Sequence, residues 1–181
     1  MNTIITGASK GIGRALVEKF ASEGHNLAIC ARNEENLKSL KKELETKYSG
    51  IQVLIKSTDI SKRKDVLAFA EAALKMFGSI DVLINNGGIF LSGSTCEENE
   101  GTLEKLIETN LYSAYHLTRA IVPFMTSSAK PHIFNMCSIA SQTAYPNGGS
   151  YSISKFALLG CTKGLRQELL DKGIRVTAGL P

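Results

Sequence analysis

The sequence predicts an α/β protein in which helices cover both faces of a doubly wound parallel sheet. Short apolar segments alternate with amphipathic ones, and glycines stand where the amphipathic segments end. Strands of a parallel sheet are covered on both faces, so they are apolar throughout. The predicted strands are Thr3–Thr6, Leu27–Ala31, Gln52–Lys56, Val82–Asn85, His132–Cys137 and Ile174–Ala178.

Between these strands, apolar residues recur every three or four positions, which is the pattern of a helix with one buried face. Leu37, Leu40 and Leu44 show this spacing. The predicted helices are Ile12–Glu23, Glu34–Tyr48, Lys62–Phe77, Glu98–Met125 and Tyr151–Asp171. Gly24 and Gly78 fall at helix ends, where glycine is the preferred residue. Regular strand–helix alternation favours a parallel sheet joined by right-handed crossovers.

Composition indicates one globular domain over residues 1–181, because 43% of the chain is hydrophobic and 21% is charged. The net charge of +4 includes one basic run, Lys62–Lys64. We interpret that run as a solvated helix start; a nucleic-acid patch is the alternative. No apolar segment has the length of a membrane span and no signal peptide is recognisable, so we expect a cytoplasmic protein without a membrane partner.

The cysteines and histidines do not form a metal site in the sequence. The cysteines are Cys30, Cys96, Cys137 and Cys161. None belongs to a C-x-x-C pair or stands at ligand spacing from a histidine, so we expect free thiols and no metal. The scattered histidines, His25, His116 and His132, are interpreted as structural.

A glycine-rich loop, TGASKGIG at residues 6–13, follows the first predicted strand. Gly7, Gly11 and Gly13 allow a tight turn, close approach of the backbone to a pyrophosphate and close packing of helix on strand. The free N–H groups at the start of the next helix favour phosphate. The alternative is a strand–helix turn that binds no ligand.

A second motif, Y-x-x-x-K, places Tyr151 and Lys155 four residues apart, on one face of a predicted helix. A phenol in water ionises near pH 10, and a nearby ammonium favours the phenolate. Such a pair can therefore act as an acid or base near neutral pH. Taken alone, the same spacing is common on exposed helices.

The two motifs resemble those of the short-chain dehydrogenase/reductase family, whose loop has the form T-G-x-x-x-G-x-G. Ser138 stands thirteen residues before Tyr151 (151 − 138), which is the family's spacing. The resemblance implies a Rossmann-type sheet of strand order 3-2-1-4-5-6. It also implies hydride transfer between a nicotinamide and a carbonyl or alcohol, with Tyr151 exchanging the proton. Ser138 would orient the substrate oxygen, while Lys155 and Asn110 tune the tyrosine and connect it to solvent.

Asn110 is expected from the resemblance to kink its helix; taken alone it would be an ordinary surface residue. The resemblance also implies a set of cofactor contacts. These are Gly7, Ser9, Lys10, Gly11, Ile12, Gly13, Arg32, Asp59, Ile60, Asn86, Gly87, Tyr151 and Lys155. Asn86 and Gly87 lie in N-N-G-G, which resembles the family's N-N-A-G, and Asn86 is expected to cross-link neighbouring strands.

Arg32 directly follows the second predicted strand, at the position where an NAD site usually carries a carboxylate. A guanidinium binds a 2′-phosphate through several donors, and Lys10 lies in the adjacent loop, so we expect NADP rather than NAD. Arg32 as an exposed helix-entry residue is the alternative. Asp59 is expected near the adenine, with a role at the following helix N-terminus as its alternative.

Family members usually continue past this point with a substrate-covering region and a seventh strand, so we expect a chain truncated at its C-terminus. The resemblance implies a homodimer built on the outer faces of the two long helices. A homotetramer, whose other interface would use the absent C-terminal end, is the alternative. The outer faces of the two helices are expected to include Ala114, Ala157, Gly160, Cys161 and Leu165.

The family members that the chain resembles are 3-oxoacyl-carrier-protein reductases and carbonyl or sepiapterin-type reductases. The expected substrate is a small carbonyl or alcohol, for example a 3-oxoacyl thioester, a ketone or a pterin-type diketone. A non-catalytic, regulatory nucleotide-binding protein is the alternative. A nucleic-acid-binding protein on the same sheet would rest only on the net charge and the basic run Lys62–Lys64.

Overall fold

The computed structural model describes residues 1–125 and 130–181, and it confirms the doubly wound parallel sheet. Its strands are β1 Asn2–Thr6, β2 Asn26–Ala31, β3 Val53–Ser57, β4 Val82–Asn85, β5 His132–Met136 and β6 Arg175–Gly179. The strand order is β3-β2-β1-β4-β5-β6, and every neighbouring pair is parallel. The order reverses between β1 and β4, so a crevice opens at the carboxyl ends of these two strands.

The helices are α1 Gly11–Ser22, α2 Glu34–Lys47, α3 Arg63–Phe77, α4 Thr102–Ile107, α5 Ser113–Ile121 and α6 Gly149–Glu168. The prediction of one continuous helix over Glu98–Met125 is wrong. Gly101, just before α4, has a left-handed conformation (φ +83°), which a right-handed helix does not accommodate. A π-helical turn, Glu108–Tyr112, separates α4 from α5, and a 3-10 turn, Val122–Phe124, follows α5.

The core consists of two large apolar clusters, one on each face of the sheet. Ile4 and Ile5 are neighbours in β1 and belong to different clusters, because successive strand residues point to opposite faces. The stripe of Leu37, Leu40 and Leu44 on α2 is buried against β2, as its spacing predicts. Full burial of such a side chain contributes about 1.5–3 kcal/mol.

Two cysteines and two of the three histidines have structural roles in the fold. Cys30 and Cys137 are free and buried. His25 contacts Thr3 Oγ1 through Nδ1 at 2.7 Å, and His132 Nε2 contacts Thr177 Oγ1 of β6 at 2.8 Å.

One residue expected on the outer face of the long helices lies elsewhere. Ala114 is buried and packs with Cys137 and Leu158, because it faces the sheet. Of the helices in the described ranges, none combines the length and the apolar character that a membrane crossing requires.

Candidate active site

The glycine-rich loop adopts the tight turn that its sequence predicts. Gly7 and Gly11 have positive φ, at +66° and +55°, which glycine adopts without strain. Gly13 has a different role, because a Cβ built there would overlap Gly7 O and approach Asn86 Nδ2 to 2.6 Å. The loop therefore packs backbone against backbone at the carboxyl end of β1.

The N-terminus of α1 opens into the crevice directly after this loop. Lys10 is the N-cap residue, and its backbone is extended (φ −155°, ψ 168°). Within the described part of the chain, no side chain caps this end and no acidic residue stands in its first turn. Lys10 and Ile12 are exposed and Ser9 is half-buried, so the end of the helix can receive an anion.

Asn86 ties the loop to the end of β4. Its Nδ2 donates to Thr6 O at 2.9 Å and to Gly7 O at 3.2 Å. In return, Thr6 Oγ1 accepts from the backbone N–H groups of Asn86 and Gly87, at 3.1 and 2.9 Å. Thr6 was not predicted as a site residue. A Cβ on Gly87 would lie 2.5 Å from Ile60 Cδ1, so Ile60 packs where the family's alanine methyl would stand.

Arg32 and Asp59 lie near each other at the outer end of the crevice. Arg32 is exposed just after β2, and its carbonyl accepts from Ser57 Oγ at 3.0 Å. Asp59 Oδ1 accepts from Ser61 Oγ at 2.7 Å and from Ser61 N at 3.1 Å. These bonds, together with the positive charges of Lys62 and Arg32, lower the pKa of Asp59. Asp59 therefore stays ionised, and its bonds to Ser61 form the turn that leads into α3.

Tyr151 and Lys155 lie on one face of α6, as their spacing predicts. Lys155 Nζ stands 5.9 Å from the centroid of the Tyr151 ring. Lys155 is buried and donates to Met136 O of β5 at 2.8 Å. Burial lowers the pKa of Lys155. Because an ammonium carries three N–H groups, this one bond leaves others for the hydroxyls of a ligand.

Ser138 directly follows β5 and is the N-cap of a short 3-10 turn, Ile139–Ser141. Its Oγ accepts from Ala140 N at 3.2 Å, while its own N–H donates to Ser141 Oγ at 3.0 Å. This reciprocal capping fixes the Ser138 side chain and leaves the hydroxyl hydrogen free to be donated. Ser141, which the sequence analysis did not select, is therefore the residue that orients the Ser138 backbone.

Asn110 lies in the π-helical turn and is only 1% exposed, so it is not an ordinary surface residue. Its Oδ1 accepts from Ile89 N at 2.8 Å, and its Nδ2 donates to Ile89 O at 3.0 Å and to Ser154 Oγ at 3.0 Å. A Cβ on Gly88 would lie 3.0 Å from Asn110 Oδ1 and 3.7 Å from Lys155 Nζ. Asn110 thus joins the loop after β4 to α6, close to the lysine.

Two contacts at the site could not be predicted from the sequence. The Phe90 ring packs edge-on against the Tyr151 ring, with centroids 4.8 Å apart and an interplanar angle of 90°. The Glu98 carboxylate accepts from Ser150 N at 2.8 Å and from Ser150 Oγ. Glu98 thereby caps the helix that carries Tyr151.

A buried polar network fixes the strands behind the site. Asn85 Nδ2 donates to Asn135 Oδ1 at 2.8 Å and to Thr118 Oγ1 at 3.0 Å. Asn135 Nδ2 donates in turn to Thr162 Oγ1 at 2.9 Å. The network links α5, β4, β5 and α6, so the helices on which the site depends are held to the same pair of strands.

Comparison with known proteins agrees with this geometry. The family model described as short chain dehydrogenase matches residues 1–181. A curated relative from Staphylococcus epidermidis, diacetyl reductase [(S)-acetoin forming], is 35% identical over 98% of this chain and 69% of its own. The chain belongs to the short-chain dehydrogenase family.

Solved structures of similar proteins have the same fold. A metagenomic short-chain oxidoreductase in complex with NADP has a TM-score of 0.92 and 31% identity, over 100% of this chain and 81% of its own. L-sorbose reductase from Gluconobacter frateurii, complexed with NADPH and L-sorbose, has a TM-score of 0.92 and 30% identity, over 98% and 67% of the two chains.

Proposed function

We propose that this protein is an NADP(H)-dependent oxidoreductase that transfers hydride between the nicotinamide and a carbonyl or alcohol substrate. The observation that carries the proposal is the grouping of Ser138, Tyr151 and Lys155 around the carboxyl end of β5, with Lys155 Nζ bonded to the last carbonyl of that strand. Ligands of open α/β sheets bind at this edge.

The dinucleotide would bind along the crevice between β1 and β4. Its pyrophosphate would lie at the Gly7–Gly13 loop and the α1 N-terminus, and its adenosine near Asp59 and Ile60. Arg32, exposed at the end of β2, would pair with the 2′-phosphate, and the similar structures with NADP and NADPH support this choice over NAD. The bound cofactor supplies or accepts the hydride.

The side chains handle the substrate oxygen and its proton. In reduction, Ser138 Oγ donates a hydrogen bond that orients the carbonyl oxygen, and Tyr151 Oη delivers the proton as negative charge develops there. Lys155 presents its remaining N–H groups to the nicotinamide ribose and favours the phenolate that Tyr151 leaves behind. Asn110 bonds the loop after β4 to α6 beside Lys155, and these bonds hold the side chains of the site in position.

The diacetyl reductase and L-sorbose reductase relatives support a small carbonyl compound as the substrate. A homodimer through the outer faces of α5 and α6 belongs to the same proposal. A groove between these helices is lined in part by Tyr115, Arg119, Cys161 and Gly164. Sedimentation equilibrium distinguishes a dimer from a monomer or tetramer. Nucleic acid is not part of the proposed function.

The proposal is tested by titrating the protein with NADPH and NADH by fluorescence, then following oxidation of the tighter cofactor with a panel of ketones, diketones and 3-oxoacyl thioesters. Tighter NADPH binding with turnover is the expected result. NADPH binding without turnover on any compound would favour a regulatory nucleotide-binding protein, which is the second candidate. Failure to bind either cofactor would contradict both.

A further inference from the structure

Two loop segments flank the candidate catalytic residues, and neither contains an Asp, Glu, Lys, Arg or His. The first comprises residues 86–96, the part of the β4–α4 loop that precedes Glu97, Glu98 and Glu100, and the second comprises residues 138–150, which lead from β5 into the first turn of α6. The chain as a whole is 21% charged, so loops this long without a charged residue depart from its average composition. Their polar groups are amides, hydroxyls and backbone.

Large apolar side chains project from these loops around the site. Phe90, Ile139 and Tyr145 are 56%, 63% and 43% exposed, and we call these three residues the apolar rim. Phe90 contacts the Tyr151 ring, and Ile139 directly follows Ser138. The Tyr145 carbonyl accepts from Gly148 N at 3.0 Å, which places Tyr145 at the start of α6.

The two loops are bonded to each other, so the apolar rim is a fixed surface. Gly93 N donates to Asn147 O at 3.0 Å, and Ser92 Oγ donates to the same carbonyl at 3.2 Å. Two charged side chains beside these segments have protein partners, and the remaining N–H groups of Lys155 are assigned to the cofactor. Glu98 is bonded to Ser150 at the α6 N-terminus, and Lys155 is buried and bonded to Met136 O.

We propose that the substrate of this site is a neutral ketone carrying an apolar alkyl or aryl substituent, which packs on the apolar rim. The inference rests on the proposed function and specifies its substrate class. A carboxylate or phosphate on the substrate would lose hydration there without gaining a partner from either loop, which is unfavourable. An apolar substituent gains from burial, and each added methylene raises kcat/KM roughly four-fold.

The test compares two ketones that differ in charge: methyl 4-oxo-4-phenylbutanoate and the 4-oxo-4-phenylbutanoate anion. Two methylenes separate the ester or carboxylate from the carbonyl, so the two ketones are of similar reactivity. NADPH oxidation is followed at saturating NADPH and neutral pH. We expect kcat/KM to be at least about ten-fold higher for the ester, because the anion finds no partner.

A pair of matched variants locates the effect. Ile139→Arg adds a cation to the apolar rim and is expected to lower the ester-to-anion ratio at least about ten-fold. Leu170→Arg is the control, because Leu170 is 68% exposed and lies beyond the far end of α6, about 30 Å from its start. That control is expected to keep the wild-type ratio.

The outcomes separate the two proposals. Reduction of the anion as efficiently as the ester would overturn the substrate class while supporting the reductase itself. A ratio that Ile139→Arg and Leu170→Arg leave equally unchanged would overturn the apolar rim as the substrate surface. If a protein that binds NADPH reduces neither ketone nor any compound of the wider panel, the reductase proposal fails and this inference fails with it.

Discussion

At the scale of single residues, the need for glycine at position 13 comes from the lack of space for a side chain and not from its backbone conformation. A Cβ there would overlap Gly7 O, so Gly13→Ala must displace the loop that we assign to the pyrophosphate. We expect NADPH affinity to fall at least ten-fold, and the melting temperature to fall as well, since overpacking costs about 1–3 kcal/mol.

Gly160→Ala provides the control, because Gly160 also lies inside a helix but has open space around its Cα. Alanine there is expected to leave NADPH affinity at its wild-type value, because Gly160 has no contact with the glycine-rich loop. Fluorescence titration and thermal unfolding measure both variants. Equal NADPH affinity in the two would contradict the role assigned to Gly13.

Arg32 is the residue on which the choice of cofactor depends. Arg32→Asp replaces the guanidinium with a carboxylate that repels a 2′-phosphate and can accept from a 2′-hydroxyl. We expect the ratio of NADPH to NADH affinity to fall by about 10- to 100-fold, the equivalent of one or two charge-assisted hydrogen bonds. Lys62→Asp, the same charge change at the exposed start of α3, serves as the comparison; a similar shift there would show that net charge alone is responsible.

The Tyr151 hydroxyl is the proton donor in the proposed reaction, whereas its ring is held by Phe90. Tyr151→Phe removes the hydroxyl and keeps the ring packing. Turnover is expected to fall at least about a hundred-fold, with the NADPH dissociation constant within about two-fold of wild type, because general acid–base catalysis contributes about 10²- to 10⁴-fold. Tyr115→Phe, an exposed hydroxyl bonded to Arg119, should leave turnover intact. Substantial turnover by Tyr151→Phe would remove that residue from the mechanism.

At the scale of elements, the strands could be predicted closely because a covered parallel strand is apolar along its length. β4 has the predicted bounds, and the other strands differ from theirs by one residue at one or both ends. The interruption of the predicted long helix has no signal in its apolar spacing, and only the family resemblance implied a kink at Asn110. The π-helical turn depends on bonds from Asn110 to Ile89 and Ser154, which lie 21 and 44 residues away in the chain.

Glu98 stabilises α6 by capping its N-terminus. Its carboxylate satisfies Ser150 N at the N-terminus of the helix that carries Tyr151 and Lys155. Glu98→Ala is expected to cost about 0.5–2 kcal/mol of stability, the usual value of a helix cap, and to lower kcat more than it weakens NADPH binding. Glu98→Gln should recover most of the loss, because an amide oxygen can still accept that bond.

Kinetics and urea unfolding of the two Glu98 variants are compared with those of Glu97→Ala. Glu97 is exposed and adjacent in the chain, so its loss tests whether any carboxylate in this segment has the same effect. A cap that contributed only to stability would change the unfolding curve and leave kcat as it is in wild type. That result would remove Glu98 from the residues that position Tyr151.

At the scale of the whole molecule, the site is assembled by the sheet, which brings together residues far apart in sequence. The positions of Gly13, Asn86, Ser138 and Tyr151 in the fold were predictable, because each stands in a motif just after a strand or on a recognisable helix. Their roles in the reaction stay predictions. Phe90 and Glu98 were not predictable as site residues, because their contacts with α6 depend on how two loops pack. Spacing along the chain carries no information on that packing.

Stability in alkali is a property of the whole fold. Burial raises the pKa of the Cys30 thiol from 9 to about 12, so the folded state keeps a proton that the unfolded chain loses above about pH 9. The folded protein then binds more protons than the unfolded chain, and the contribution of Cys30 to stability falls as pH rises from about 9 towards about 12, by up to about 1.4 kcal/mol per unit.

Urea unfolding between pH 8 and pH 11 measures this loss. Cys30→Ala, which lacks the thiol, should show a shallower decline than wild type, whereas Cys96→Ala should match wild type because Cys96 is exposed. Parallel declines in the Cys30 variant and wild type would mean that other groups determine the alkaline limit.

The amide pair behind the site also bears on how the sheet assembles. Asn85 and Asn135 lie opposite each other in the β4–β5 register, and each finds its partners only in that register. A slip of one strand by one residue would turn its amide to the other, apolar face of the sheet and would leave the opposite amide without that partner. Each buried amide without a hydrogen-bond partner would cost about 1–3 kcal/mol. Sheets with the wrong register are therefore less stable than the native sheet during folding. The same hydrogen bond between Asn85 and Asn135 that holds the helices of the site in place therefore also disfavours misaligned strands while the protein folds.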